Sequence, residues 1–153
     1  MRFSIEFTGD VRRMMDNIIL HIPHASLCLP PDFWRDITID KEIIERELRF
    51  IVDYKVDELV KNIDSHKIIA KYSRLYCDVE RFRMGAIYTH LSDGTQYRKI
   101  GSSRREEILG KSYDLHHKQL NALSREIVDQ YGSCVIIDIH SYSDELVRRL
   151  FGW

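Results

Sequence analysis

Two short apolar runs constrain this fold most: Asn17 to Leu20 in "DNIILHIPHASLCLP" and Val135 to Ile139 in "CVIIDIHS". Each has the length and the aliphatic side chains of a buried strand, and each breaks directly into polar residues that include histidine. Long helical patterns lie between them. Strands alternating with long helices predict an α/β domain with a mixed, mostly parallel sheet. Ligands in such sheets bind beyond the carboxyl ends of the strands. If the two runs are parallel neighbours, His24 and His140 converge on one rim.

The intervening chain supplies the helices. Thr38 or Asp40 can cap a helix running to about Asn62, with Ile44, Leu48, Ile51, Val52 and Leu59 at helical spacing. "SHKIIAK", Ser65 to Lys71, reads as a second strand. "SRLYCDVERF" alternates partly and leads into a loop, and "GAIYTHLSDGTQYRK" reads as a hairpin turning at Asp93-Gly94. Ser102 or Ser103 opens a helical region to Tyr131, with a break near Gly110 and Gly132 as its stop. No repeat or linker divides the 153 residues, so residues 1–153 are read as one domain.

Composition excludes several classes. Apolar residues are 44% of the chain and charged residues 31%, enough for a sizeable core. The net charge of −1, with no basic block, predicts neither a nucleic-acid nor a membrane partner. No stretch is long and apolar enough to span a bilayer, and Met1 to Asp10 does not read as a signal peptide. Cys28, Cys77 and Cys134 are scattered and form no Cys-x-x-Cys pair, which suits free thiols in a cytoplasmic protein.

The chemistry-bearing residues admit two readings each. His24 and His140 could be half of a zinc site, since zinc takes neutral imidazoles and carboxylates; they also fit ordinary loop histidines. Asp138, two residues before His140, could orient that region. Asp53 and Asp57 stand four apart, as a solvated helix face or a source of a third ligand. Asp78, Glu80 and Arg81 could be a surface ion-pair cluster, or Arg81 could bind a substrate carboxylate in a two-pronged fork. His116 and His117 lie inside a helical pattern. Ser26 lacks a nucleophile elbow, Cys28 is a weak thiol candidate, and no glycine-rich phosphate loop is present.

Six stretches in order, "LHIPHAS", "VDYKVDEL", "SRLYCDVERF", "GAIYTHLSDG", "YDLHHKQL" and "IIDIHSYSDE", resemble the N-formylglutamate amidohydrolase family. The resemblance implies a three-layer α/β fold like that of the zinc carboxypeptidases (phosphorylase/hydrolase-like). It also implies one zinc ion and hydrolysis of N-formylglutamate or a related N-acyl amino acid. Carried over, His24, Asp53 and His140 would hold the metal, with Asp57 as a rival for Asp53. Arg81 and Asp78 would bind substrate, His117 and Glu80 would be the catalytic candidates, and His21 would support its loop.

The family usually continues well beyond the "DIHS" strand, whereas this sequence runs only to Trp153, and the link from Arg81 to "MGAIYT" is shorter than the family's. By analogy with zinc carboxypeptidases, a glutamate general base would come from the part not present. The fold is therefore expected to be incomplete and turnover weak or absent. The alternative is a non-catalytic metal- or ligand-binding relative. Leu146, Val147, Leu150, Phe151 and Trp153 are expected to pack as a helix on the sheet or on a second subunit, leaving a homo-oligomer open.

Overall fold

The computed structural model of the chain describes residues 15–142, 144, 147, 148 and 152. The expected packing of the final segment, from Leu146 to Trp153, falls largely outside them, as does the Met1 to Asp10 stretch. Three parallel strands form one sheet in the order β2-β1-β3. They are β1 (Ile18–Ile22), β2 (His66–Ile69) and β3 (Val135–Asp138). Every pairing is parallel, with Leu20 opposite Lys67 on one side and Ile137 on the other. On one face, Leu20 and Ile22 pack with Val56 and Val60. On the other, His21 reaches a histidine of the long helix described below.

The helix expected up to about Asn62 is interrupted. Helix α1 spans Lys41–Ile51 and a single turn, α2, spans Val56–Leu59. Between them Val52 is extended and Lys55 adopts the left-handed conformation at φ 57°. The Asp53 amide donates to the His24 carbonyl at 3.0 Å, so a tertiary bond replaces continuation of the helix. Ile44, Leu48 and Ile51 do face a core, but Leu59 is 74% exposed. Periodicity had joined two segments whose phases are unrelated.

The second helical region follows its expected bounds more closely. Helix α3 (Ser102–Leu109) passes through a π turn at Gly110–Asp114 into α4 (Leu115–Tyr131). Gly132, at φ 78°, ends α4 and bonds back to the Val128 carbonyl at 2.8 Å, a conformation that favours glycine. The hairpin around Gly94 is reduced to a single bridge, His90 to Gln96.

The larger core lies beside the sheet rather than on it. Phe33, Ile44, Leu75, Tyr76, Ile87, Tyr97, Ile108 and Leu109 enclose the segment from "SRLYCDVERF" through the hairpin. Arg98 is fully buried among them and donates to the carbonyls of Tyr88 and Tyr76 at 2.5 and 3.1 Å. Val135 to Ile139 reads as a strand suited to burial, with one edge or face open if the family's later strands are absent, and the described residues leave it open. β3 pairs only with β1 among the described residues, and Val135, Ile136 and Ile137 are 48, 44 and 39% exposed. An apolar run reports apolarity, not whether its strand is central or at an edge. The three cysteines are free, and no described helix is long and apolar enough to cross a membrane.

Candidate metal centre

Because β1 and β3 are parallel neighbours, the chain leaves both at the same rim, and the rings of His24 and His140 lie 5.1 Å apart there. The break between α1 and α2 brings the buried Asp53 to them. One carboxylate oxygen, Oδ2, stands 2.7 Å from His140 Nδ1 and 3.8 Å from His24 Nδ1. Asp57 is exposed on α2 and takes no part.

Glu80 closes the other side. Its Oε1 accepts from His140 Nε2 at 2.9 Å, and its Oε2 lies 3.5 Å from His24 Nε2. His24, Glu80 and His140 bring ligand-type atoms within 4.8 Å of one another. Two carboxylates thus bracket His140. Burial opposes its positive charge, but Asp53 and Glu80 outweigh burial and raise its pKa.

Asp78 lies beneath the cleft, wholly buried. Its Oδ1 accepts from His24 Nε2 at 2.9 Å and from the Glu80 amide at 3.1 Å. Its Oδ2 accepts from Arg74 at 2.9 Å and from the Tyr88 hydroxyl at 2.6 Å. Burial alone would raise its pKa, yet His24, Arg74 and Tyr88 hold it well below the usual carboxylate range. All four of these donors are protein groups and the carboxylate is not exposed, so its contacts are those of a support for His24 rather than of a group open to a substrate.

That support fixes the chemistry of His24. A carboxylate accepts, so Nε2 carries the proton and Nδ1 is left as a bare lone pair. His24 Nδ1 is buried and has no hydrogen-bond partner. A lone pair facing a carboxylate across 3.8 Å is repulsive unless a proton or a metal cation lies between them. Once the proton that His140 Nδ1 shares with Asp53 is displaced, His24 Nδ1, Asp53 and His140 Nδ1 would offer two imidazoles and a carboxylate, a set that suits a divalent ion such as zinc.

A cleft of about 580 Å³ opens beside this centre and includes His24, Asp53, Glu80, Arg81 and His140 in its lining. Arg81 is 62% exposed there and donates from Nε to the Tyr88 hydroxyl at 3.0 Å. His117 is not in it. Its Nε2 donates to the Val79 carbonyl at 2.8 Å, and it lines a separate concavity with Asp114 and Lys118, so the structure does not bring it to His24 and His140. Asp138 accepts from His21 Nδ1 at 2.5 Å instead of orienting His140, because His21 and Asp138 are register partners across β1 and β3. His21 in turn meets His116 Nε2 at 2.8 Å. Arg74 and Tyr88 also line the cleft and were missed in the sequence; the Arg74–Asp78 spacing of four was the available signal.

The sequence matches the family model "N-formylglutamate amidohydrolase" over residues 16–151. No curated protein matches it. Among solved structures it is similar to the N-formylglutamate amidohydrolase from Ralstonia eutropha JMP134, at 20% identity and a TM-score of 0.73. The match covers 88% of this chain and 56% of that one, so the chain spans little more than half the length of that relative. With a family match over nearly its whole length and the same fold in a solved member, the chain belongs to the N-formylglutamate amidohydrolase family.

Proposed function

We propose that the chain is a zinc-dependent amidohydrolase of N-acyl amino acids. The reading is carried by the buried, partnerless Nδ1 of His24, which faces Asp53 and His140 at the edge of a cleft holding Arg81. His24, Asp53 and His140 would hold the ion. Glu80 also lies close enough to be a ligand. Asp53 is preferred because it faces the bare nitrogen of His24, whereas Glu80 faces the nitrogen already given to Asp78.

A bound divalent ion supplies Lewis-acid polarisation of the amide carbonyl and acidifies water at neutral pH. The Arg81 guanidinium binds the substrate carboxylate in a two-pronged fork and sets its position. Arg74, anchored on Asp78 at the cleft wall, adds positive charge where the carbonyl oxygen becomes negative. Glu80, 38% exposed and held by His140, takes a proton from the attacking water. The new C–O bond forms as the C–N bond breaks, and Glu80 returns that proton to the leaving nitrogen.

Metal analysis combined with an N-acyl amino acid hydrolysis assay tests this reading. His24→Ala, Asp53→Asn and His140→Ala should lose zinc, while Glu80→Gln should keep zinc and lose turnover. Zinc loss in Glu80→Gln with zinc retained in Asp53→Asn would exchange the two roles. Zinc uptake by the intact chain without turnover of any N-acyl amino acid would leave a metal-binding relative of the fold and end the enzymatic reading.

A further inference from the structure

Building on the amidohydrolase reading, we infer that the cleft selects N-acyl amino acids with one carboxylate and an apolar side chain over N-acyl glutamates. The charges lining the cleft are unequal in their availability. Arg74 is 22% exposed, and its guanidinium is drawn back onto Asp78 at 2.9 Å. Arg81 is bound only through Nε, so its terminal fork is the open cationic donor among the described lining residues. It accounts for one carboxylate.

A glutamate substrate carries a second carboxylate, and beyond Arg74, which is held on Asp78 and assigned to the carbonyl oxygen, the described lining offers it no cation. Asp53 and Glu80 face the histidines. Glu47 is turned onto the hairpin, where it accepts from the Ser92 amide at 2.7 Å and the Ser92 hydroxyl at 3.1 Å. Phe50, Ile51, Val52, Leu75 and Leu91 supply hydrocarbon wall. His90, Ser92, Ser141 and Tyr142 are the remaining polar groups, and the His90 Nδ1 is engaged with the Thr89 hydroxyl at 3.0 Å. A second carboxylate would lose water against this wall and meet Glu47, a like charge; an aliphatic or aromatic side chain would bury apolar surface there. The volume, about 580 Å³, leaves room for such a group.

The test uses the zinc-loaded chain with N-formyl-leucine, N-formyl-phenylalanine and N-formylglutamate. It compares kcat/KM for the intact chain and calorimetric Kd for Glu80→Gln, which should bind without turnover. The apolar substrates should exceed N-formylglutamate at least about tenfold in both quantities, the scale on which an uncompensated buried charge is felt. Phe50→Arg, which adds a cation to the wall, should narrow or reverse the ratio without changing zinc content. Equal or better handling of N-formylglutamate by the intact chain overturns this inference alone. Failure of all three compounds to bind or turn over overturns the amidohydrolase reading as well. The ratio in the intact chain decides the matter even where Phe50→Arg fails to fold.

Discussion

His21 and His24 are three residues apart, yet they belong to two unlike clusters. His21 closes a chain of matched partners: His116 Nε2–H donates to His21 Nε2, and His21 Nδ1–H donates to Asp138. Both rings of that chain are buried, and each contact fits an uncharged pair of imidazoles beside one carboxylate. His24 is equally buried, but its Nδ1 is left without a partner, and a cleft runs past it. The first cluster is complete without a ligand; the second leaves a buried nitrogen that the proposed cation would satisfy. Burial and proximity are shared, so neither marks the functional histidine. The proposed function rests instead on the unpartnered nitrogen of His24.

The comparison breaks most severely at His21. His21→Ala should destabilise the fold by about 2–4 kcal/mol, since it opens a cavity and strands His116. Refolded protein should still bind zinc at one equivalent, as read by denaturant melts and metal analysis. Loss of zinc from a folded variant would merge the two clusters into one.

Asp78→Asn attacks the second cluster through its support. The amide can present a donor to His24 Nε2 and so release the proton from that nitrogen. Zinc affinity should fall roughly 10–100-fold, the usual cost of removing such a partner, with a smaller loss of stability. Competition with a chromophoric chelator measures it, and an unchanged Kd would remove Asp78 from the site.

A pH effect should come from the closed cluster. Burial, with the neighbouring His21 and His117, lowers the His116 pKa from 6.5 to about 4. The fold therefore prefers neutral His116, while the unfolded chain takes up the proton first. This contribution to stability is complete above about pH 6.5 and is lost as pH falls toward 4. His116→Gln should flatten the stability profile across that window; an unchanged slope would assign the effect to other groups.

The smallest effect is expected at Asp57→Asn. Asp57 is exposed, and the change should stay within about ±0.5 kcal/mol with zinc content intact. Measured beside Asp53→Asn, it separates two aspartates that the sequence left as rivals.

How far the sequence could be read follows from these cases. The parallel arrangement of β1 and β3 was legible, because two apolar runs separated by helices leave few alternatives, and it carried His24 and His140 to a common rim. The hinge at Val52 to Lys55 was not legible. Nothing local opposes a helix there, and the bond that ends it comes from His24, 29 positions earlier in the chain. The burial of Asp78 was not legible for a related reason. A carboxylate in a charged motif looks like a surface group until the four donors around it are known. The exposure of β3 is not encoded in its own residues; it was legible only from the strands that the family usually adds after it.

Tyr88 has a thermal consequence. Its carbonyl is gripped by the buried Arg98, while its hydroxyl donates to Asp78 and accepts from Arg81. One residue thus ties the aromatic interior to the shelf on which His24 rests. Such a site does not fray ahead of the body of the protein. On heating, metal uptake and the near-ultraviolet signal of the packed tyrosines should vanish together in a single step. Two separate transitions would mean that the tie yields before the interior does.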